Sequence, residues 1–205
     1  MCSRVTQPSK QVLEKIIHDL HIEHQHSSFV QRDFDFSVQA GKQTLTAVAH
    51  SKIENQQGRI IANAPWGIQL VPGFVYNARM EGINSKPTWS EAWRNHRVVV
   101  PVVSFYEQQN RSSSFEISSQ DDEIMYLGGI AVLNQATGKR HIVICTYPSG
   151  HDLSVVHARQ PVVIRPNRVD DWLDDSAETL TLSRHVFNER SSFKITKDQP
   201  LSNAS

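Results

Sequence analysis

Apolar positions recur with two different periods along this chain. From about Ser9 to Ile22, Val12, Leu13, Ile16, Ile17 and Leu20 fall at helical spacing with Lys10, Glu14, Lys15 and Asp19 between them, which predicts an amphipathic helix. Downstream the pattern shortens. Leu45 to Ala49, Arg59 to Asn63, Val98 to Val103, Ser114 to Ile117, Ile124 to Leu133, His141 to Thr146 and Pro161 to Ile164 are rich in β-branched residues and bounded by turn formers, so they read as strands. Thr88-Trp-Ser-Glu91 has the form of a capping box ahead of Ala92 and Trp93 and predicts a short helix among them. A second short helix is expected from Val169 to Leu173, capped by Asn167. The polar stretch Gln108 to Ser114 reads as a hairpin loop, and the chain from Lys197 onward reads as a disordered polar tail.

These elements predict one α+β domain over residues 1–196, with a twisted or barrel-like, mostly antiparallel β core, a few flanking helices and a tail at 197–205. A length of 205 residues suits a single domain, and 39% hydrophobic with 20% charged residues supplies one core without the charge bias of a disordered chain. Formal net charge is zero, 21 basic against 21 acidic residues, so any nucleic-acid site must be a local basic surface. The two cysteines, Cys2 and Cys145, are too few for a disulfide framework and lack the paired spacing of a zinc site. No apolar run suits a signal peptide or reaches the roughly eighteen residues of a membrane span. The expectation is a monomer in the bacterial cytoplasm, with no metal, cofactor or membrane partner.

Candidate chemistry starts at Cys2. Removal of Met1 exposes an α-amine whose ordinary pKa is about 8, so a fraction is neutral at physiological pH. Such an amine attacks aldehydes to give a Schiff base, and the thiol on the same residue can add to the imine and close a five-membered thiazolidine. The adjacent ammonium is also expected to favour the thiolate. A cysteine after methionine carries no such meaning alone; it needs partners. Three downstream segments offer them: Asn77-Ala-Arg79-Met-Glu81; Phe105-Tyr-Glu107, whose carboxyl follows the apolar 98–103 run and would be partly desolvated, as a general acid requires; and His157-Ala-Arg159-Gln-Pro161. Each alone also reads as a turn with surface charges. His18, His21, His24 and His26 include helically spaced pairs, but no carboxylate or cysteine completes a metal set, and Cys145 reads as an inert, buried strand residue.

Met-Cys2-x-Arg4, Trp66-Gly67, Asn77-Ala-Arg79-x-Glu81, Phe105-Tyr-Glu107 and His157-x-Arg159-x-Pro161 occur in one order that resembles the SRAP family of abasic-site processing proteins. The resemblance runs from Cys2 to about Trp172. The chain departs from it at Ser3, where the family has Gly, at Gln108, where it has Trp, at Gln160, where it has Met, and along Ile68 to Phe74, where a second tryptophan is missing. The resemblance implies capture of abasic sites in single-stranded DNA as a covalent crosslink, with weak lyase activity or slow reversal. Cys2 would supply amine and thiol, Glu107 would assist ring opening and proton transfer, His157 would move protons at the sugar, and Asn77 would position the ring. Arg4, Arg79 and Arg159 would contact phosphates, and Trp66, with Phe74 in place of the second tryptophan, would stack on a base. The apolar neighbours of Trp66 fit a core position equally well. Two alternatives stand beside this reading: a Cys2-dependent autopeptidase built from the same four residues, and a single-strand-binding module without chemistry.

Overall fold

A computed structural model describes residues 2–51, 58–71, 73–110, 113–176 and 192–198. In chain order, β1 (Arg4–Gln7) leads to α1 (Lys10–Asp19), β2 (Ile22–Gln25), β3 (Phe36–Gln39), β4 (Thr44–His50) and β5 (Arg59–Pro65). The short strands β6 (Ile68–Gln69), β7 (Phe74–Val75) and β8 (Asn77–Arg79) precede α2 (Pro87–Asn95). Then come β9 (Arg97–Val102), β10 (Ser104–Asn110), β11 (Ser113–Ser119), β12 (Met125–Asn134) and β13 (Lys139–Pro148). The described chain closes with α3 (His151–Ser154), β14 (Arg159–Pro161), β15 (Val163–Ile164), a 3-10 turn at Pro166–Arg168, α4 (Val169–Leu173) and β16 (Phe193–Lys197).

The fold is α+β and dominated by two sheets. The smaller has five strands in the order β16-β11-β10-β1-β3; the larger has nine, along the path β14-β13-β12-β9-β4-β5-β2, with β15 paired to β12 and β8 to β13. Pairing is antiparallel apart from β2 on β5 and β8 on β13. Neither sheet closes on itself, so the barrel-like expectation gives way to two open sheets.

Every residue of β9 is buried, which is why its valines form an unbroken apolar run rather than an alternation. β9 continues through Val103, whose N–H donates to Thr6 O at 2.8 Å, directly into β10 of the other sheet. One stretch of chain therefore passes from the core of the larger sheet to the centre of the smaller one. Residues of both sheets share a core that includes Cys2, Val5, Phe105 and Ile117 with Val98, Val100, Leu127 and Ile144. A second core lies under the helices, where Trp93 and Trp172 meet edge to face with centroids 5.4 Å apart.

Several local expectations shift by a few residues. α1 ends at Asp19 because Leu20 caps it and His21 takes a left-handed φ of 47°, turning the chain into β2. α2 starts from Lys86 with Pro87 in its first turn, so the Thr88–Glu91 box is not used, and Glu91 instead meets His96 at 3.0 Å. α4 is preceded by the 3-10 turn containing Asn167 and is capped by Arg168 with no side-chain bond. β10 and β11 extend through most of the predicted 108–114 loop. The 161–164 strand is split at Val162, whose N–H donates to Cys145 O at 2.9 Å. At the far end, Lys197 closes β16 and Asp198 pairs with Arg4, so the predicted tail begins inside the fold; residues 199–205 lie outside the described residues.

Candidate active site

Cys2 precedes β1 and is wholly buried, with its thiol 3.7 Å from Arg4 O. Antiparallel pairing sets Arg4 opposite Tyr106 and Val5 opposite Phe105, which brings the next residue of β10, Glu107, up to the start of the chain. Glu107 lies on the same face of β10 as Phe105 and is only 3% exposed. The Cys2 backbone N–H lies near enough to favour the charged form of its carboxyl. The larger sheet supplies the other two groups. β8 runs along β13 with Asn77 opposite Ile144, and Asn77 Nδ2 donates to Cys2 O at 2.9 Å. Asn77 Oδ1 is buried with no hydrogen-bond partner among the described residues, an acceptor open to a ligand donor.

His157 lies between α3 and β14, close enough for its charge to act on Glu107. Its Nδ1 is bracketed by one residue: Arg159 N–H at 3.0 Å and Arg159 O at 2.9 Å. When bare, Nδ1 accepts from the first; when protonated, it donates to the second. The ring is thus held in either protonation state, as a proton carrier requires.

Electrostatics separate the four groups. Burial pushes the Glu107 carboxyl above its usual range, and the charge of His157 together with the Cys2 N–H offsets only part of that rise. Burial also pushes the Cys2 thiol up, the Glu107 charge adding to the effect, while backbone contacts with Tyr106 and Arg4 oppose it. The expected thiolate is therefore not what this environment favours: sulfur rests as a neutral thiol.

The arginines and aromatics divide. Arg79 is exposed at the end of β8. Arg4 is committed within the fold, its guanidinium 3.7 Å above the Tyr106 ring and paired with Asp198. Arg159 makes a bidentate pair with Glu81, at 2.7 and 2.8 Å, and also donates to Thr146 O at 2.8 Å, so a phosphate would have to displace Glu81. That pair pulls the Glu81 carboxyl down to about 2. Trp66 is 1% exposed and its indole N–H donates to Tyr76 O at 3.2 Å, which places it in the core and leaves no ring face for a base. Phe74, 44% exposed, lies near it across Tyr76. Sequence reading missed Gln160 as a site residue, although its buried amide holds the loop that carries His157.

The model of the family described as SOS response associated peptidase (SRAP) matches residues 1–198. No curated protein matches the chain. Among solved structures, a protein of Bacteroides thetaiotaomicron superposes with a TM-score of 0.72 at 15% identity, covering 97% of this chain and 92% of its own. A protein of Bordetella bronchiseptica gives 0.73 at 15% identity, covering 97% and 100%. A phage-related protein of the same organism gives 0.72 at 18% identity, covering 97% and 95%. At these identities the likeness is one of fold.

Proposed function

The chain belongs to the SRAP (SOS response associated peptidase) family, and from that premise we propose that it captures abasic sites in single-stranded DNA by covalent reaction at Cys2. The observation that carries this reading is the buried carboxyl of Glu107 brought by the β1–β10 register to the start of the chain, with Asn77 holding the Cys2 carbonyl. Removal of Met1 turns the Cys2 nitrogen into a primary amine already in place. Glu107, whose burial favours the protonated carboxyl, donates to the ring oxygen of the abasic sugar while the anomeric hydroxyl gives up its proton to His157, and the sugar opens to the aldehyde. The amine adds to the aldehyde carbon and passes a proton back to Glu107, which returns it to the departing hydroxyl, so that water leaves and an imine remains. Cys2 Sγ then bonds to that carbon while the thiol proton passes to nitrogen, closing the thiazolidine. Atoms balance with one water released and no change of oxidation state.

A thiol that burial holds in its neutral form fits one order of events. Sulfur stays neutral until the amine has made the electrophile. His157 moves protons at the sugar oxygens, and Asn77 offers Oδ1 to a sugar hydroxyl. Arg79, exposed at the end of β8, is the motif arginine to which we assign a phosphate contact. A peptidase acting on the Met1–Cys2 bond would need a donor on the Met1 carbonyl, whereas Asn77 Nδ2 donates to the carbonyl on the other side of Cys2.

The test is incubation of Met1-processed protein with single-stranded DNA carrying one abasic site, followed by a denaturing gel, with Cys2→Ala alongside. A denaturant-resistant complex that the variant fails to form supports the reading. Its absence with protein whose free Cys2 terminus is verified by mass spectrometry overturns it.

A further inference from the structure

Gln160 is a polar side chain buried in a sheet edge, 5% exposed, at a place where a hydrophobic residue would meet no desolvation cost. Both ends of its amide are used. Gly150 N–H donates to Oε1 at 2.9 Å, and Nε2 donates to Tyr147 Oη at 2.8 Å. Gly150 is the residue that starts α3, and Ser149 N–H closes the same loop onto Ala158 O at 3.0 Å. At its other end the loop delivers His157, whose N–H donates to Leu153 O at 3.0 Å; Leu153 in turn is packed in the core that contains Cys2. A second glutamine reaches the loop from the opposite sheet: Gln109, two residues after Glu107 on β10, donates through Nε2 to Val155 O at 2.8 Å.

We propose that Gln160 is a positioning residue that fixes the approach of His157 to Glu107, by tying Gly150, at the start of α3 in the 149–158 loop, to Tyr147 of β13, with Gln109 as the outer tether. The inference rests on the reading of His157 as a proton carrier in the Cys2 reaction. The geometry has a simple mechanical sense. The loop is anchored to the core by Leu153 in its middle, to β13 and β14 by Gln160 at its start, and to β10 by Gln109 just before His157. Releasing the start lets α3 rotate about Leu153, and His157 moves with it.

Gln160→Met removes both amide bonds and keeps the length and volume of the side chain. The first readout needs no DNA: two-bond proton–nitrogen spectra of the His157 imidazole, assigned with His157→Gln. Wild type is expected to give one sharp ring system, and Gln160→Met a shifted or exchange-broadened one. The second readout is the single-turnover crosslinking rate, expected to fall about tenfold, as displacements near one ångström do at catalytic groups. Gln160→Glu keeps an oxygen for Gly150 N–H and one to accept from the Tyr147 hydroxyl, and is expected to restore both readouts most of the way. If Gln160→Met fails to fold, Tyr147→Phe breaks one half of the tie, and Gln109→Ala releases the outer tether.

Unchanged His157 signals in Gln160→Met, or in Tyr147→Phe and Gln109→Ala together, overturn the proposal. So does a shifted ring with an unaltered rate. Absence of any crosslink with the wild-type protein would instead refute the Cys2 reading, while the ring spectra still decide whether Gln160 places His157.

Discussion

Cys2 and Cys145 are both wholly buried, and burial pushes both thiols upward. By exposure or acidity alone they are indistinguishable. Their surroundings differ. Cys145 lies within β13, paired to Ala78 of β8, with the positive charge of Arg97 acting on its thiol. Cys2 lies where two sheets meet, with the buried carboxyl of Glu107 acting on its thiol, its carbonyl held by Asn77 and His157 near enough to act on Glu107. The comparison teaches that a reactive cysteine need not be an acidic one. In the proposed reaction the nucleophile that moves first is nitrogen, and sulfur needs only to be near when the imine forms.

The sharpest way to break that comparison is to delete each sulfur. Cys2→Ala is expected to abolish the denaturant-resistant DNA complex completely, whereas Cys145→Ala is expected to crosslink within about twofold of wild type, since it lies outside the reacting set. Equal losses in the two variants would mean that burial in the shared fold, not the neighbours of Cys2, controls the chemistry.

Glu107→Gln removes the neighbour that most distinguishes the two sites. Crosslinking is expected to slow about 10²- to 10³-fold, the ordinary worth of a positioned general acid. Stability should move the other way. The Glu107 carboxyl titrates higher in the folded state than its ordinary value of 4.5, so its contribution to stability is fully present below 4.5 and is lost as pH rises through the raised value. Glutamine has no such loss. The Tm advantage of Glu107→Gln over wild type should therefore grow from pH 4 to pH 8; an advantage that is constant with pH would mean that Glu107 is not perturbed by burial.

Much of this contrast was legible in the sequence. Cys145 sits in His141-Ile-Val-Ile-Cys145-Thr146, a short β-branched apolar run that fits a buried strand, and the run before Phe105 forecast the desolvation of Glu107. Cys2 and the three groups around it could be named from motifs and the family resemblance that those motifs carry. Their ties could not. Whether Arg4 and Arg159 face solvent or a carboxylate depends on Asp198 and Glu81, which are 194 and 78 residues away in the chain. Trp66 was ambiguous for a related reason: an apolar neighbourhood fixes a tendency to be buried, and only the strand register decides it. Short strands such as β1, β3 and β8 carry too few residues for a period, and pairing across sheets forms them.

Cys145→Ala should still register in stability, where Cys145 counts as core. Losing one buried sulfur from packed β13 is expected to cost about 1 kcal/mol, read as a lower denaturant midpoint with an unchanged slope. An unchanged midpoint would show that the strand relaxes into the space, and that Cys145 is not held as tightly as its neighbours suggest.

The smallest effect is expected at the outer edge of the Cys2 surroundings, where the Glu81–Arg159 pair links the strand of Asn77 to the backbone that brackets His157. Glu81 and Glu107 are carboxyls of one site shifted in opposite directions, Glu81 down to about 2 by its pairing with Arg159. The sign of its pH dependence is accordingly reversed: the stability from Glu81 is present above 4.5 and is lost as pH falls toward 2. Because the Glu81 side chain is 53% exposed, solvent screening holds the pair below about 1 kcal/mol. Glu81→Gln should lower stability slightly at pH 7 and match wild type near pH 2, with the gap at pH 7 shrinking in added salt. Crosslinking should fall by only about two- to fivefold, since Arg159 keeps its bond to Thr146 O and its backbone still brackets His157. A loss as large as that of Glu107→Gln would move the ion pair from the edge of the site to its centre, and Arg159 with it.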